Sequence, residues 1–170
     1  MGFLIDEETL RAEGLLEAAR LMAVAAKTAP KARGVDNVVT ALVADRGELE
    51  RLASKMEELA PLYGEFFKRD AESVRSSSAV FLVGCRLLKL GLETPKRWGL
   101  DADLVNCLVN LGIAIGSAVK TAQLLNVDNR VMFSVGVAAQ ELGLLQADVV
   151  YGIPLSVAAK NIYFDRKWPR

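Results

Sequence analysis

The sequence predicts an α+β or α/β sandwich, in which short buried strands alternate with helices around a central helix. The clearest element is the stretch 103–127, where apolar residues recur at three- and four-residue spacing and Lys120 is the only interior charge. Two apolar runs, 38–44 and 79–84, have the length of buried strands. A chain of 170 residues with no shift in composition is long enough for one core, so we predict one domain over residues 1–170.

The central helix predicted over 103–127 is apolar on both sides, which indicates that it is buried all round. Gly112 and Gly116 each cost about 1 kcal/mol against alanine in a helix, and close packing is the expected compensation. The narrow surface that they leave suits either a neighbouring helix or a flat ligand. Because Asn106 and Asn110 interrupt the apolar run, it differs from a membrane span, which needs ~20 predominantly apolar residues. We therefore predict no membrane association.

Helix boundaries in the first half are marked by caps and prolines. Asp6 can cap a first helix, which we expect to end before Pro30, because the residue ahead of a proline disfavours the α conformation. Asp45 and Glu48 have the spacing of a capping box and open a second helix after the first strand. Pro61 is predicted to end that helix, and a short aromatic-rich helix follows it.

The second half contains shorter elements. A loop without periodicity over 90–101 leads into the central helix. We predict a third strand over 130–135, a short helix over 137–145 and a fourth strand over 148–152 that Pro154 closes. The tail, residues 155–170, has no clear pattern, and such a tail often docks on a neighbouring subunit.

Composition excludes several classes of function. The chain carries 21 basic and 21 acidic side chains, so its overall charge offers no reason to expect nucleic acid as a partner. Because there is no histidine and only Cys85 and Cys107 are cysteines, His-based catalysis and a multi-cysteine metal cage within one chain are excluded. The first ten residues lack the pattern of a signal peptide, from which we predict a cytoplasmic protein with free thiols.

The stretch 28–37, TAPKARGVDN, is the main candidate binding segment. Thr28, Lys31, Arg33 and Asn37 offer cationic and hydrogen-bonding groups at a helix-to-strand corner, which suits a phosphate or the edge of a flavin. A solvated basic loop explains the same residues, and for these residue types alone we favour that interpretation.

Three other groupings have ordinary structural interpretations, which we favour. Arg130 follows the turn that ends the central helix, and Lys96, Arg97 and Trp98 lie in the loop before it. Cys107 has no histidine to activate it and sits in an apolar helix, so we expect an inert core thiol.

Taken together, several strings resemble an uncharacterised prokaryotic family described as ferredoxin domain-containing proteins. They are TAPKARGVDN (28–37), FFKRDAESVRSSSAVFLVG (66–84), NLGIAIGSAVKTA (110–122), VDNRVMFSVGVAA (127–139) and GIPLSVAAKNIYFDR (152–166). Members of that family typically place several cysteines between the second strand and the central helix. Since only Cys107 matches here, no iron–sulfur cluster is expected.

A more distant resemblance is to the FMN-dependent nitroreductase fold. It rests on the corner Ala29-Pro30-Lys31, the long central helix rich in small residues, and the late Gly152-Ile153-Pro154. This resemblance implies a three-layer α+β sandwich with a mixed sheet around a long buried helix. It also implies an intertwined homodimer with FMN at the interface. The chain departs from the pattern in two places, because the Arg-Ser-x-Arg of the first helix is missing and Lys31 replaces a serine.

These resemblances imply a cytoplasmic, FMN-binding oxidoreductase that acts on a small molecule as a homodimer, without nucleic acid or membrane. The implied cofactor-binding residues are Thr28, Lys31, Arg33, Asn37, Arg130, Lys160 and Arg166. Lys31 and Arg33 would hold the phosphate or the pyrimidine edge and Asn37 the ring, while the other cations would act across the interface. The alternative is a non-enzymatic dimeric scaffold or interaction protein that has lost its cofactor site. Removing the Lys31 and Arg33 side chains is expected to cost little stability, because both are taken to be exposed.

Overall fold

A four-stranded antiparallel sheet lies between two layers of helices in the computed structural model, which describes residues 4–164. The helices are α1 (Glu7–Thr28), α2 (Arg46–Tyr63), α3 (Phe66–Arg75), α4 (Ala102–Leu124) and α5 (Phe133–Glu141). The strands are β1 (Val38–Val43), β2 (Ala79–Cys85), β3 (Asp128–Asn129) and β4 (Val149–Ser156), in the order β1-β2-β4-β3. A 3₁₀ turn, Ala32–Gly34, joins α1 to β1.

The two helical layers cover opposite faces of the sheet. Helices α1 and α4 pack on one face, and α2, α3 and α5 pack on the other. Every residue of β2 is therefore buried, which explains why its sequence is apolar without alternation. The predicted α+β sandwich is confirmed, but the sheet within residues 4–164 is not mixed as predicted, because its three strand pairings are all antiparallel.

The first half follows its capping signals. The carboxylate of Asp6 accepts the backbone N–H of Thr9, and that of Asp45 accepts the N–H of Glu48. Pro61, however, does not end α2 as predicted. It lies in the last turn, and the helix continues to Tyr63. Gly64 follows with φ 122°, a backbone conformation that favours glycine, and this residue ends the helix.

The predicted strand over 130–135 is wrong, because β3 ends at Asn129 and α5 begins at Phe133. Of its apolar residues, Met132 just before α5 and Val135 within α5 are buried, whereas Val131 and Phe133 are exposed. The predicted strand 148–152 continues through Pro154 to Ser156. The backbone N–H and carbonyl of Gly152 bond to Met132, on the side of β4 away from β2. Pro154, two residues later, has its backbone nitrogen on that same side, so it removes no hydrogen bond to β2.

Helix α4 is buried on one side only, which corrects the prediction of burial all round. Its buried side faces α1 and the sheet and includes Cys107, Asn110 and Leu111. Its other side is open within one chain, where Val109 is 48% exposed and Ile113 is 40% exposed. The length and composition of α4 would also suit a membrane span, but a core helix passes the same test, and the buried side of α4 packs against α1 and the sheet.

Candidate functional site

The corner between α1 and β1 brings Thr28, Lys31, Arg33 and Asn37 into one short segment, as predicted. Lys31 folds back along the end of α1. Its Nζ donates to the carbonyl oxygens of Ala26 at 3.2 Å, Lys27 at 2.7 Å and Ala29 at 2.8 Å. The last carbonyls of a helix have no partner within it, so the ammonium group caps the C-terminus of α1 and complements its dipole.

Arg33 reaches from the corner to the loop that follows β2. Its Nη1 donates to the carbonyl oxygen of Leu90 at 2.7 Å and, more weakly, to that of Gly91 at 3.4 Å. Arg33 is exposed and has φ 55°, and Gly34 continues the left-handed backbone with φ 68°. Both bonds to the loop use Nη1, while a guanidinium has five N–H donors. The remaining donors can serve a ligand.

Asn37 lies inside the protein, where only 1% of it is exposed. Its Nδ2 donates to the carbonyl oxygen of Arg86 at 3.0 Å, and its Oδ1 accepts from Nδ2 of Asn110 at 2.9 Å. Asn110 in turn accepts the backbone N–H of Ala32 at 2.8 Å. A chain of hydrogen bonds therefore connects the corner, the start of β1, the end of β2 and α4. Sequence reasoning missed Asn110, although an amide on the apolar helix was the available signal.

Thr28 is exposed in the last turn of α1, and its hydroxyl donates to the carbonyl oxygen of Val24 at 3.0 Å. The hydroxyl oxygen can still accept a hydrogen bond. Next to it, Lys27 forms an ion pair with Asp36, and this hydrogen bond lowers the pKa of the Asp36 carboxyl. The outer surface of the corner thus carries both signs of charge.

The other predicted cations lie elsewhere. Arg130 donates from Nη1 to the carbonyl oxygen of Tyr163 at 3.2 Å, and its Cζ lies 5.2 Å from the ring centroid of Phe164. It lines a polar hollow of about 500 Å³. Lys160 is exposed in the segment after β4, and Arg166 lies outside the described residues.

Within one chain, the corner and Arg130 lie near opposite ends of β2. Val38, at the corner, pairs with Cys85, the last residue of β2. Asn129, next to Arg130, pairs with Leu155, which pairs with Ala79 at the start of β2. Strand β2 has 7 residues. At ~3.3 Å for each residue, the two groups lie about 20 Å apart along the sheet.

The outer surface of the α1/α4 layer carries several exposed apolar side chains, mostly on α4, beside the charged residues of α1. Its exposed large apolar side chains are Leu10, Leu21, Val24, Leu108, Val109, Ile113, Leu124 and Leu125. A groove of about 460 Å³ runs between α1 and the end of α4. A Cβ added at Gly112 or Gly116 would meet no atom of the chain within 4 Å. This layer therefore leaves more apolar surface uncovered than scattered surface residues account for.

Comparison with known proteins places the chain in a family. Residues 104–166 match the family described as "Uncharacterized protein containing a ferredoxin domain". A protein from Archaeoglobus fulgidus, described as an uncharacterized protein, is 41% identical, and the alignment covers 96% of this chain and 97% of that protein. The chain belongs to this family. The resemblance stated from the sequence strings is thereby confirmed.

The thiols of this member of the ferredoxin-domain family do not fit an iron–sulfur cluster. Such clusters are held by four thiolates, or by two with two histidines, and this chain has two cysteines and no histidine. Both are buried, and burial raises the pKa of the Cys85 thiol to about 11. Cys107 Sγ accepts the backbone N–H of Leu88 at 3.4 Å. Within residues 4–164, no group of three or more His, Cys, Asp or Glu side chains could hold a metal ion.

Solved structures with the same fold include several flavoproteins. A BluB-like flavoprotein from Clostridium difficile 630 has a TM-score of 0.61 and 16% identity, and the match covers 99% of this chain and 88% of that one. A nitroreductase with bound FMN from Desulfitobacterium hafniense DCB-2 has a TM-score of 0.60 and 16% identity, with coverages of 94% and 82%. At this identity the likeness shows the fold, so this member of the ferredoxin-domain family has a nitroreductase-like fold.

Proposed function

We propose that the chain binds FMN and acts as a flavin-dependent oxidoreductase on a small-molecule substrate in the cytoplasm. The observation that carries this proposal is the match of nearly the whole chain to flavoprotein folds, one of which holds FMN. A bound flavin would supply the redox chemistry, which suits a chain without histidine. The protein's part would be to bind the flavin, orient it and exclude water.

The corner supplies the polar contacts in this proposal. Arg33 and Thr28 are exposed and keep donor or acceptor capacity, so they would contact the phosphate or the pyrimidine edge directly. Lys31 would add its positive charge from the cap of α1, because a ligand has to compete with three carbonyl oxygens for Nζ. Asn37 is buried and hydrogen-bonded to Arg86 and Asn110, so it would not contact the ring directly. It would instead fix the conformation of the corner that holds the ring.

A homodimer completes the proposed site. The open side of α4 and the neighbouring side of α1 offer an apolar surface for a second copy, and Gly112 and Gly116 allow close approach. Arg130 lies about 20 Å from the corner along the sheet, and Lys160 and Arg166 follow β4 in the sequence. A partner related by a two-fold axis could present its own copies of these cations to the corner.

The second candidate function is a dimeric scaffold or interaction protein without a cofactor. A specific observation favours it. Lys31 and Asn37, two of the predicted flavin contacts, already have their hydrogen bonds within the chain. Under this alternative the corner is a structural joint, and the apolar α1/α4 surface serves association alone.

Titration with FMN, followed by fluorescence quenching, separates the two functions. The wild type is compared with Arg33→Ala and with the control Arg20→Ala, which removes another exposed arginine from α1. We expect saturable binding by the wild type and the control. Arg33→Ala should bind at least tenfold more weakly, because a hydrogen bond to a charged group contributes about 1.5–3 kcal/mol. No saturable binding by the wild type up to millimolar FMN would leave the scaffold function in its place.

A further inference from the structure

In the loop between β2 and α4, residues 86–101, several backbone groups are hydrogen-bonded by side chains elsewhere in the protein. It has 16 residues with no helix or strand. Loops longer than about 12–15 residues without secondary structure are uncommon in compact domains and are usually functional or disordered. Within this loop Leu90 is buried, Leu92 is half-buried and the other residues are exposed, yet several backbone groups have defined partners. These partners define what holds the loop in place.

Asp103 is the main anchor. It lies in the first turn of α4 and is only 6% exposed. One carboxylate oxygen accepts the N–H of Leu92 at 2.9 Å, and the other accepts the N–H of Gly91 at 3.3 Å. The hydrogen bond from the N–H of Leu92 is the largest cause that lowers the pKa of the Asp103 carboxyl; burial acts in the opposite direction, and the N–H of Gly91 lowers the pKa further. Both oxygens of this buried carboxylate therefore accept backbone N–H groups of the loop.

Cys107 is the second anchor, one turn further along α4. Its Sγ accepts the N–H of Leu88 at 3.4 Å and donates to the carbonyl oxygen of the same residue at 3.6 Å. The second contact requires the thiol proton. An iron ligand has to be a thiolate, so the contact with Leu88 and iron ligation exclude each other at this sulfur.

We propose that side chains of the chain itself, chiefly Asp103 and Cys107, order the loop 86–101, and that this chain needs no iron–sulfur cluster at the position where α4 begins. The family is described by a ferredoxin domain, yet its matching segment here begins at residue 104 and contains a single cysteine. The carboxylate of Asp103 holds the backbone of Gly91 and Leu92 in place. In this proposal the loop 86–101 lies beside the corner and holds no metal. Arg33 of the corner also binds the loop through the carbonyl oxygen of Leu90.

Hydrogen exchange at single backbone amides tests the anchor. In the wild type, the amides of Gly91 and Leu92 should be protected, and a strong chelator should not change their rates. In Asp103→Asn, the side-chain amide can no longer accept from both donors, so at least one of the two should exchange at least tenfold faster. The matched control is Asp101→Asn, which removes a neighbouring charge but keeps a good N-cap for Leu104 N–H, and it should leave both rates unchanged.

Iron analysis tests the second half of the proposal on the wild-type protein. Protein purified without oxygen, and protein treated with Fe²⁺ and sulfide, should carry only trace iron and show no charge-transfer absorption. Iron at one or more atoms per chain with that absorption would overturn the proposal, and so would loss of amide protection on chelation. Unchanged exchange in Asp103→Asn would also overturn it. If Asp103→Asn does not fold, the iron and chelator measurements on the wild type still decide.

Discussion

The side-chain amide of Asn110 donates to Oδ1 of Asn37 at 2.9 Å, in a part of the core where both residues are almost completely buried. The same Asn110 side chain also accepts the N–H of Ala32. Asn110 of α4 therefore provides a hydrogen-bond partner both for the buried side chain of Asn37, just before β1, and for a backbone N–H of the corner. Buried polar groups that lose such partners carry the full cost of desolvation.

Asn110→Leu should therefore destabilise the protein although leucine is a better helix former. Ala32 N–H and one oxygen of Asn37 would be left without partners, and we expect a loss of about 1–3 kcal/mol in the free energy of unfolding. Asn106→Leu is the control on the same helix, because its amide bonds only to Ala102 within α4. Urea unfolding measures both, and equal effects of the two changes would contradict the role given to Asn110.

Lys31→Ala tests the cap of α1. The sequence placed Lys31 among exposed charges whose removal costs little, whereas the structure shows Nζ bonded to three carbonyl oxygens. We now expect a loss of about 1 kcal/mol or more, which is typical for a helix cap or a hydrogen bond to a charged group. Lys96→Ala, in the exposed loop, should stay within about 0.5 kcal/mol. Thermal unfolding distinguishes them, and a neutral Lys31→Ala would show that the cap contributes nothing.

Gly136 and Val150 make the closest approach of α5 to the sheet. A Cβ at Gly136 would lie 1.9 Å from the carbonyl oxygen of Val150, a backbone atom that cannot turn aside. We expect Gly136→Ala to destabilise by at least the ~1–3 kcal/mol that overpacking usually costs. Gly14→Ala, in α1 with nothing within 4 Å, should instead stabilise by about 0.5–1 kcal/mol. Similar melting temperatures for the two variants would contradict this packing.

Local signals were sufficient for much of the fold. The carboxylates Asp6 and Asp45 predicted two helix starts, because a cap is decided by neighbouring residues. The prolines misled for a reason that is not local. Pro61 lies in a last turn and Pro154 faces the outer side of β4, so neither removes a bond that the fold needs. The strand predicted over 130–135 failed because a short apolar run suits either a strand or a buried helix.

The candidate site was harder to predict than the fold. Residue types at the corner indicate cations and amides, and the structure does place Lys31, Arg33 and Asn37 together. Which of them faces solvent depends on contacts with Leu90 and Asn110, both more than 50 positions away in sequence. No local pattern contains that information. The open side of α4 could not be foreseen either, because composition alone does not tell a chain's own layer from a partner's surface.

The Cys85 thiol gives a pH dependence. Burial raises its pKa from about 9 to about 11, so the unfolded chain loses this proton first as the pH rises. The contribution of the buried thiol to the free energy of unfolding is complete below pH 9 and is lost between about pH 9 and 11. Stability of the wild type should fall in that interval more than that of Cys85→Ala, measured by urea unfolding at each pH. Parallel curves for the two proteins would refute the assignment.

Gly116→Leu separates the fold of one chain from the proposed dimer. In one chain the position is exposed and a Cβ there meets nothing within 4 Å, so we expect the variant to fold, which differs from the unfolding expected if α4 were buried all round. If α4 packs against α4 of a second copy, a leucine at this position keeps the two backbones apart. Light scattering at micromolar concentration should then give a dimer for the wild type and a monomer for Gly116→Leu, with similar circular dichroism.

Leu111→Asp places a charge in the core of a single chain and should unfold it in either case. Glu58→Leu, an equally exposed change on α2, should remain dimeric, because that layer covers the opposite face of the sheet. A wild-type protein that is monomeric and stable would remove the homodimer from the proposed function, and a dimeric Gly116→Leu would move the interface away from this side of α4.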